Sequence, residues 1–181
     1  MIQRMIDFAM FRIPTYRAVE ADASALGQAM LVVVIVAIAS GVTGLGVEDE
    51  GVSGLIGGVI AGLVGWAVWA WITYFVGTTI FNTSQTHADW GQLARTTGFA
   101  QSPGVLRVFG FIPVIGWLIA LVATIWQFAA MVVAVREALD YTSTWRAVGV
   151  VLIGFIIALA VVFIVLLVFA FIVALLFGAA D

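Results

Sequence analysis

Charged positions divide the chain into long uncharged stretches. No Asp, Glu, Lys or Arg lies between Asp22 and Glu48, between Glu50 and Asp89, between Arg107 and Arg136, or between Arg146 and Asp181. Each gap exceeds the roughly 20 apolar residues that a helix needs to cross a bilayer. The pattern predicts spans near 25–46 and 54–80, a membrane-embedded stretch at 104–135 and a long span at 147–177. The first 20 residues differ. Met5, Phe8, Phe11 and Arg12 recur at roughly helical spacing until Pro14. This predicts a short amphipathic helix in the membrane interface, with Arg4 and Arg12 near headgroups; the alternative is an unstructured tail. Glu48, Asp49 and Glu50 form an acidic turn between the first two spans. The longest polar connection is 81–103, where Asp89 is an N-cap for a short helix through Thr97 that Gly98 could close.

The stretch 104–135 holds Pro113 and Gly116, a helix break. Two readings stand: one kinked span, or a hairpin that turns there and returns. Positive residues collect on the cytoplasmic side. Arg4, Arg12 and Arg17 place the N-terminus there, and Arg95 and Arg107 follow on the same side. A single crossing would send Arg136 and Arg146 outside; a hairpin keeps all seven Arg inside and ends the chain outside. The hairpin accounts better for the charges. Its difficulty is length, since 32 residues make about 48 Å of helix, short of two crossings of about 30 Å. The last run has no internal turn signal and reads as one long tilted helix.

Composition agrees. Of 181 residues 64% are apolar and 9% charged, and the mean hydropathy is +1.21. Soluble domains carry about 25% charged residues. A soluble enzyme, a nucleic-acid binder and a disordered chain are all excluded. The expected fold is all-α and polytopic, with five membrane segments of which the third and fourth form a short hairpin. Residues 1–24 make a cytoplasmic amphipathic segment and 25–181 one helical membrane domain. The N-terminus does not read as a cleavable signal. There is no Cys, so disulfides and thiolate metal sites are impossible.

Gly54, Gly58 and Gly62 repeat at the spacing that lets membrane helices approach closely, for internal packing or for homo-oligomerisation. Trp66 and Trp69 lie too deep for an interface belt and are expected to fill space between helices. Intramembrane polar residues are few: Thr73, Thr78, Thr79, Thr124 and Gln127, with Arg107 near the hairpin entry. No Asp, Glu or His stands in the core of a span, where ion-coupled transporters and pumps place them. His87 has only Asp89 nearby, too few ligands for a metal. No nucleophile or phosphate-loop motif is present. The expectation is therefore no enzyme, no metal and no cofactor.

Several stretches carry a resemblance. These are 97–104 (TGFAQSPG), 111–117 (FIPVIGW), Ile125-Trp126, 134–139 (AVREAL) and 143–147 (STWRA). They resemble the bacterial branch of the Yip-domain family, whose name comes from eukaryotic proteins that interact with Ypt/Rab GTPases. The resemblance implies five membrane segments, a cytoplasmic N-terminus and an outside C-terminus. The chain lacks the Asp-Leu-Tyr-Gly-Pro type motif of the eukaryotic relatives, so Rab binding does not carry over. The expected role is a non-catalytic membrane scaffold or interaction protein, an accessory or organising subunit of a larger assembly in the bacterial inner or plasma membrane. Its partners would be membrane lipids and a membrane protein or further copies of itself, not nucleic acid. Arg95, Arg136 and Arg146 are the candidate partner surface. The alternative is a small-solute or lipid transporter or channel, motivated by the break at Pro113 and Gly116.

Overall fold

The computed structural model describes residues 1–41 and 51–177, the side chains of 51, 174, 176 and 177 excepted. Among the described residues the structure is helical and has no strand. The helices are α1 (Ile2–Ala9), α2 (Ile13–Ala21), α3 (Ala25–Gly41), α4 (Gly51–Thr79), α5 (Trp90–Phe99), α6 (Gly116–Ala138) and α7 (Thr144–Phe177). A 3-10 helix, Ser102–Phe111, stands between α5 and α6. Helices α4, α6 and α7 are long and apolar enough to cross a membrane; α2 and α3, bent by 119° at their junction, count as a fourth when taken together. The acidic turn at Glu48, Asp49 and Glu50 lies outside the described residues.

Burial is concentrated at one end of the bundle. On α4 it falls on Trp66, Ala70, Ile72, Thr73, Val76 and Gly77, and the first half of the helix carries no buried residue among those described. On α6 it runs almost unbroken from Ala130 to Ala138, and on α7, among the described side chains, it is confined to Ala147, Val150, Val151 and Gly154. Helices α1, α2 and α5 complete this packed end. Beyond it the side chains of α4 and α7 face outwards. In lipid no hydrophobic force drives apolar helices together, so bare apolar faces there are stable.

The N-terminal segment forms two helices where the sequence predicts one. Its break lies before Pro14, at Met10 to Arg12. Phe11 takes a left-handed conformation (φ 56°), and the amides of Phe11 and Arg12 return to the carbonyls of Phe8 and Asp7. That is a Schellman stop. Pro14 sits in the first turn of α2, where its missing N–H leaves no bond unmade. The apolar face is divided. Phe8 and Tyr16 stack with ring centroids 3.8 Å apart and are buried against Phe99, while Ile2, Ile6, Met10 and Phe11 stay exposed. Tyr16 donates to the Phe8 carbonyl (2.7 Å), and the Trp126 indole donates to the Ala9 carbonyl (2.7 Å). The segment thus shares one core with α3, α5 and α6.

The chain reverses at 112–115. Val114 is left-handed (φ 67°), and the Gly116 amide donates to the Ile112 carbonyl at 2.8 Å. A Cβ on Gly116 would overlap the Gly110 carbonyl, so only glycine fits. The 3-10 segment then lies back along α6. Arg107 reaches the Thr124 hydroxyl (3.3 Å), and Gly104 faces Gln127 and Val36.

Candidate functional site

The polar connection 81–103 is not a free loop. Asp89 caps α5 with a full capping box, Asp89 accepting from the Gln92 amide while Gln92 accepts from the Asp89 amide. From there Leu93 to Ala100 is buried. Polar side chains are accommodated by local bonds, Thr96 and Thr97 donating to the carbonyls of Gln92 and Leu93. Gly98 does not end the helix but lets it approach α3, since a Cβ there would stand 2.8 Å from the Ala29 Cβ. The Trp66 indole crosses to the Ala94 carbonyl (3.0 Å).

This overturns the place of Arg95 on an exposed partner surface. Arg95 is buried, and its guanidinium donates to the carbonyls of Val19 and Glu20 at the end of α2. The Val19 carbonyl also accepts from the Asp22 amide (3.3 Å), and a cation suits the negative end of a helix. Arg136 is half-buried and Arg146 exposed. Of the glycine ladder, Gly62 meets Ala37 of α3, whereas a Cβ on Gly58 would meet open space and Gly54 is half-buried. Close internal approaches fall instead at Gly98 and Gly104, where backbone meets neighbouring helices.

The ionisable residues of α2 and α6 gather at the packed end. Glu137 is buried and accepts from Arg17 (2.8 Å) and from Arg136 (2.6 Å). Arg136 also donates to Thr144 at the start of α7 (3.2 Å). The carboxylate therefore links α2 to α6, and Arg136 carries the link on to α7. The Schellman stop of α6 builds the rest: Asp140 is left-handed (φ 52°), and the amides of Asp140 and Tyr141 return to the carbonyls of Glu137 and Arg136. The Tyr141 hydroxyl donates to the Gly77 carbonyl of α4 (2.8 Å). Between these groups lies a cleft of about 570 Å³, bordered by Arg17, Glu20, Arg136, Glu137 and Asp140. Glu20 is half-buried beside it. Burial, then the nearby carboxylates of Asp140 and Glu137, push its pKa up to about 7. The sequence reading found Arg136 but missed Arg17, Glu20 and Glu137; Arg17 and Glu137 lie 120 residues apart along the chain. No local spacing signals that encounter.

The arrangement offers charged side chains of both signs around an open cleft. Among the described residues, no cluster of three or more metal-ligating side chains occurs. His87 is exposed. The sequence profile of the Yip1 domain matches residues 8–166. No curated protein and no solved structure matches the chain. The matched region runs from α1 into α7 and takes in both the cleft and the chain reversal, so this membrane protein belongs to the Yip1 domain family.

Proposed function

We propose that this chain is a non-catalytic membrane scaffold, an accessory or organising subunit that holds a membrane-protein partner. The observation that carries the reading is the bare outer length of α7. Every described side chain from 159 to 173 is exposed, and Phe163, Phe169 and Phe171 are among them. The helix is about 51 Å long against a hydrocarbon core of about 30 Å. A helix held at its root, as far as Ala158, and presented over the rest suits side-by-side association. Arg136 and Arg146 flank its root and are the charged contacts of the same surface; Arg95 has no part in it.

Five crossings fit this chain, in the bacterial inner or plasma membrane, with the N-terminus cytoplasmic and the C-terminus outside. The third would be α5 continued by the 3-10 helix, the fourth α6. A 3-10 helix rises about 2.0 Å per residue against about 1.5 Å for an α-helix, which eases the shortage of length in the hairpin. The exposed Ile2, Ile6, Met10 and Phe11 would then rest in the inner interface. The chain has no native Cys. Labelling of Ser143→Cys from the cytoplasmic side alone supports five crossings, and labelling from outside alone overturns them.

The scaffold reading is tested with photoreactive residues at Phe163 and Phe169, in membrane discs extracted by polymer without detergent. A stoichiometric cross-linked protein, whether another membrane protein or a second copy, is the expected result. Cross-links to lipid alone overturn it. Transport of a small solute or lipid is the second reading, favoured by the chain reversal beside Arg107. Absence of specific flux in liposomes would remove it.

A further inference from the structure

Halfway along the apolar helices, between α4, α6 and α7, lies a pocket of about 360 Å³. Its volume falls within the range of small-molecule sites. Trp66, Trp69, Phe128 and Phe155 are apolar groups in its lining, and Arg107, Thr124 and Gln127 are polar ones. Two of these polar groups are incompletely satisfied. Arg107 is half-buried and pairs with no carboxylate among the described residues; the Thr124 hydroxyl is its hydrogen-bond partner. The Gln127 carbonyl oxygen is buried and accepts no hydrogen bond. Cation and acceptor stand close together. A Cβ on Gly104 would lie 3.4 Å from the Arg107 guanidinium and 2.9 Å from that oxygen.

A guanidinium at membrane depth calls for an anion, and a buried carbonyl oxygen calls for a donor. Guanidinium matches phosphate through paired N–H bonds. The donor beside it must be neutral, because an ammonium would be repelled by Arg107. The aromatic lining suits an acyl chain, and past Gly154 most of the described α7 side chains face outwards, so chains can leave into the surrounding bilayer. From this geometry we propose that the pocket binds the headgroup of an anionic phospholipid that carries a free hydroxyl, such as a phosphoglycerol. The phosphate sits on Arg107, and the headgroup hydroxyl donates to Gln127. This site stands apart from the scaffold reading, since a bound lipid is compatible with either outcome there.

The test is native mass spectrometry of the full chain, titrated separately with three lipids of equal chain length. Phosphatidylglycerol has charge and hydroxyl, phosphatidylmethanol has the charge alone, and phosphatidylcholine has neither net charge nor hydroxyl. The wild-type chain is expected to retain one phosphatidylglycerol at least tenfold more tightly than phosphatidylcholine, with phosphatidylmethanol between them. Arg107→Gln is expected to abolish the preference for anionic lipid. Gln127→Leu is expected to make phosphatidylglycerol and phosphatidylmethanol equal. His87→Gln, in the exposed connection before α5, is expected to leave the bound lipid in place. Equal retention of all three lipids by the wild-type chain overturns the proposal without any variant. A preference that survives Arg107→Gln, or that disappears in His87→Gln, overturns it as well. Equal retention of the two anionic lipids by the wild-type chain overturns the hydroxyl contact.

Discussion

Glu137 shares its buried carboxylate between an exposed Arg17 and a half-buried Arg136. Loss of Arg17 alone is expected to change stability little, because Arg136 still neutralises the carboxylate and an exposed arm of a salt bridge contributes little. Loss of both is different. Arg17→Ala with Arg136→Ala leaves a buried charge without a cation, an arrangement that costs about 3–5 kcal/mol. Adding Glu137→Gln to the double variant is expected to recover much of that loss, and thermal unfolding in membrane discs measures all three. Glu20 gives a pH signature. Its folded pKa of about 7 stands above the ordinary 4.5, so the folded chain binds this proton more tightly than the unfolded one. The stability from this group is complete below pH 4.5, falls as pH rises from there to 7, and is lost above. The facing groups are Asp140, Glu137, Arg95 and Arg17. Asp140→Asn keeps a side chain that tolerates the left-handed turn and removes one like charge. Its stability profile is expected to shift to lower pH, and Glu20→Gln to abolish that component.

Among the helices, α5 shows why polarity does not report location. Its sequence reads as a solvated connection with a good cap, and the cap is there. Yet the helix is buried, because Thr hydroxyls bond within the helix and Arg95 donates to carbonyls at the end of α2. Such local bonds make burial of polar residues affordable. Glycine substitutions separate the two kinds of close approach. Gly98→Ala is expected to destabilise by about 1–3 kcal/mol, since its Cβ would crowd both the Cβ and the carbonyl of Ala29. Gly58→Ala meets nothing within 4 Å and is expected to be neutral or to stabilise α4 by up to about 1 kcal/mol. Loss of stability in Gly58→Ala discs would mean that this face is occupied by a partner. The full ladder of Gly54, Gly58 and Gly62 was legible as a motif; which rung touches another helix was not.

The molecule as a whole divides into a packed end and a set of bare apolar helices. Helices α1, α2 and α5 hold the packed end together with the roots of α4, α6 and α7. Hydrogen exchange in membrane discs is expected to follow this division outside the apolar spans. Amides of 93–100 should exchange slowly although the segment is polar, whereas those of 82–88, which carry no helix, should exchange fast. Fast exchange throughout 81–103 would contradict the buried α5.

Hydropathy and charge spacing determined the class of this protein and the positions of its long helices. The spans expected at 54–80 and 147–177 match α4 and α7 within three residues, because a bilayer demands long uncharged runs whatever the fold. The break at Pro113 and Gly116 was equally legible, since backbone chemistry at those residues is local. Asp89 as a cap belongs to the same local class. Tertiary structure decided the rest. It split the N-terminal helix at Phe11 rather than Pro14, buried Arg95, and brought Arg17 and Glu20 to Glu137. It also set Arg107 beside Gln127 across a chain reversal. Each of these depends on which element packs against which, and a pair that meets only after folding leaves no spacing in the sequence to read.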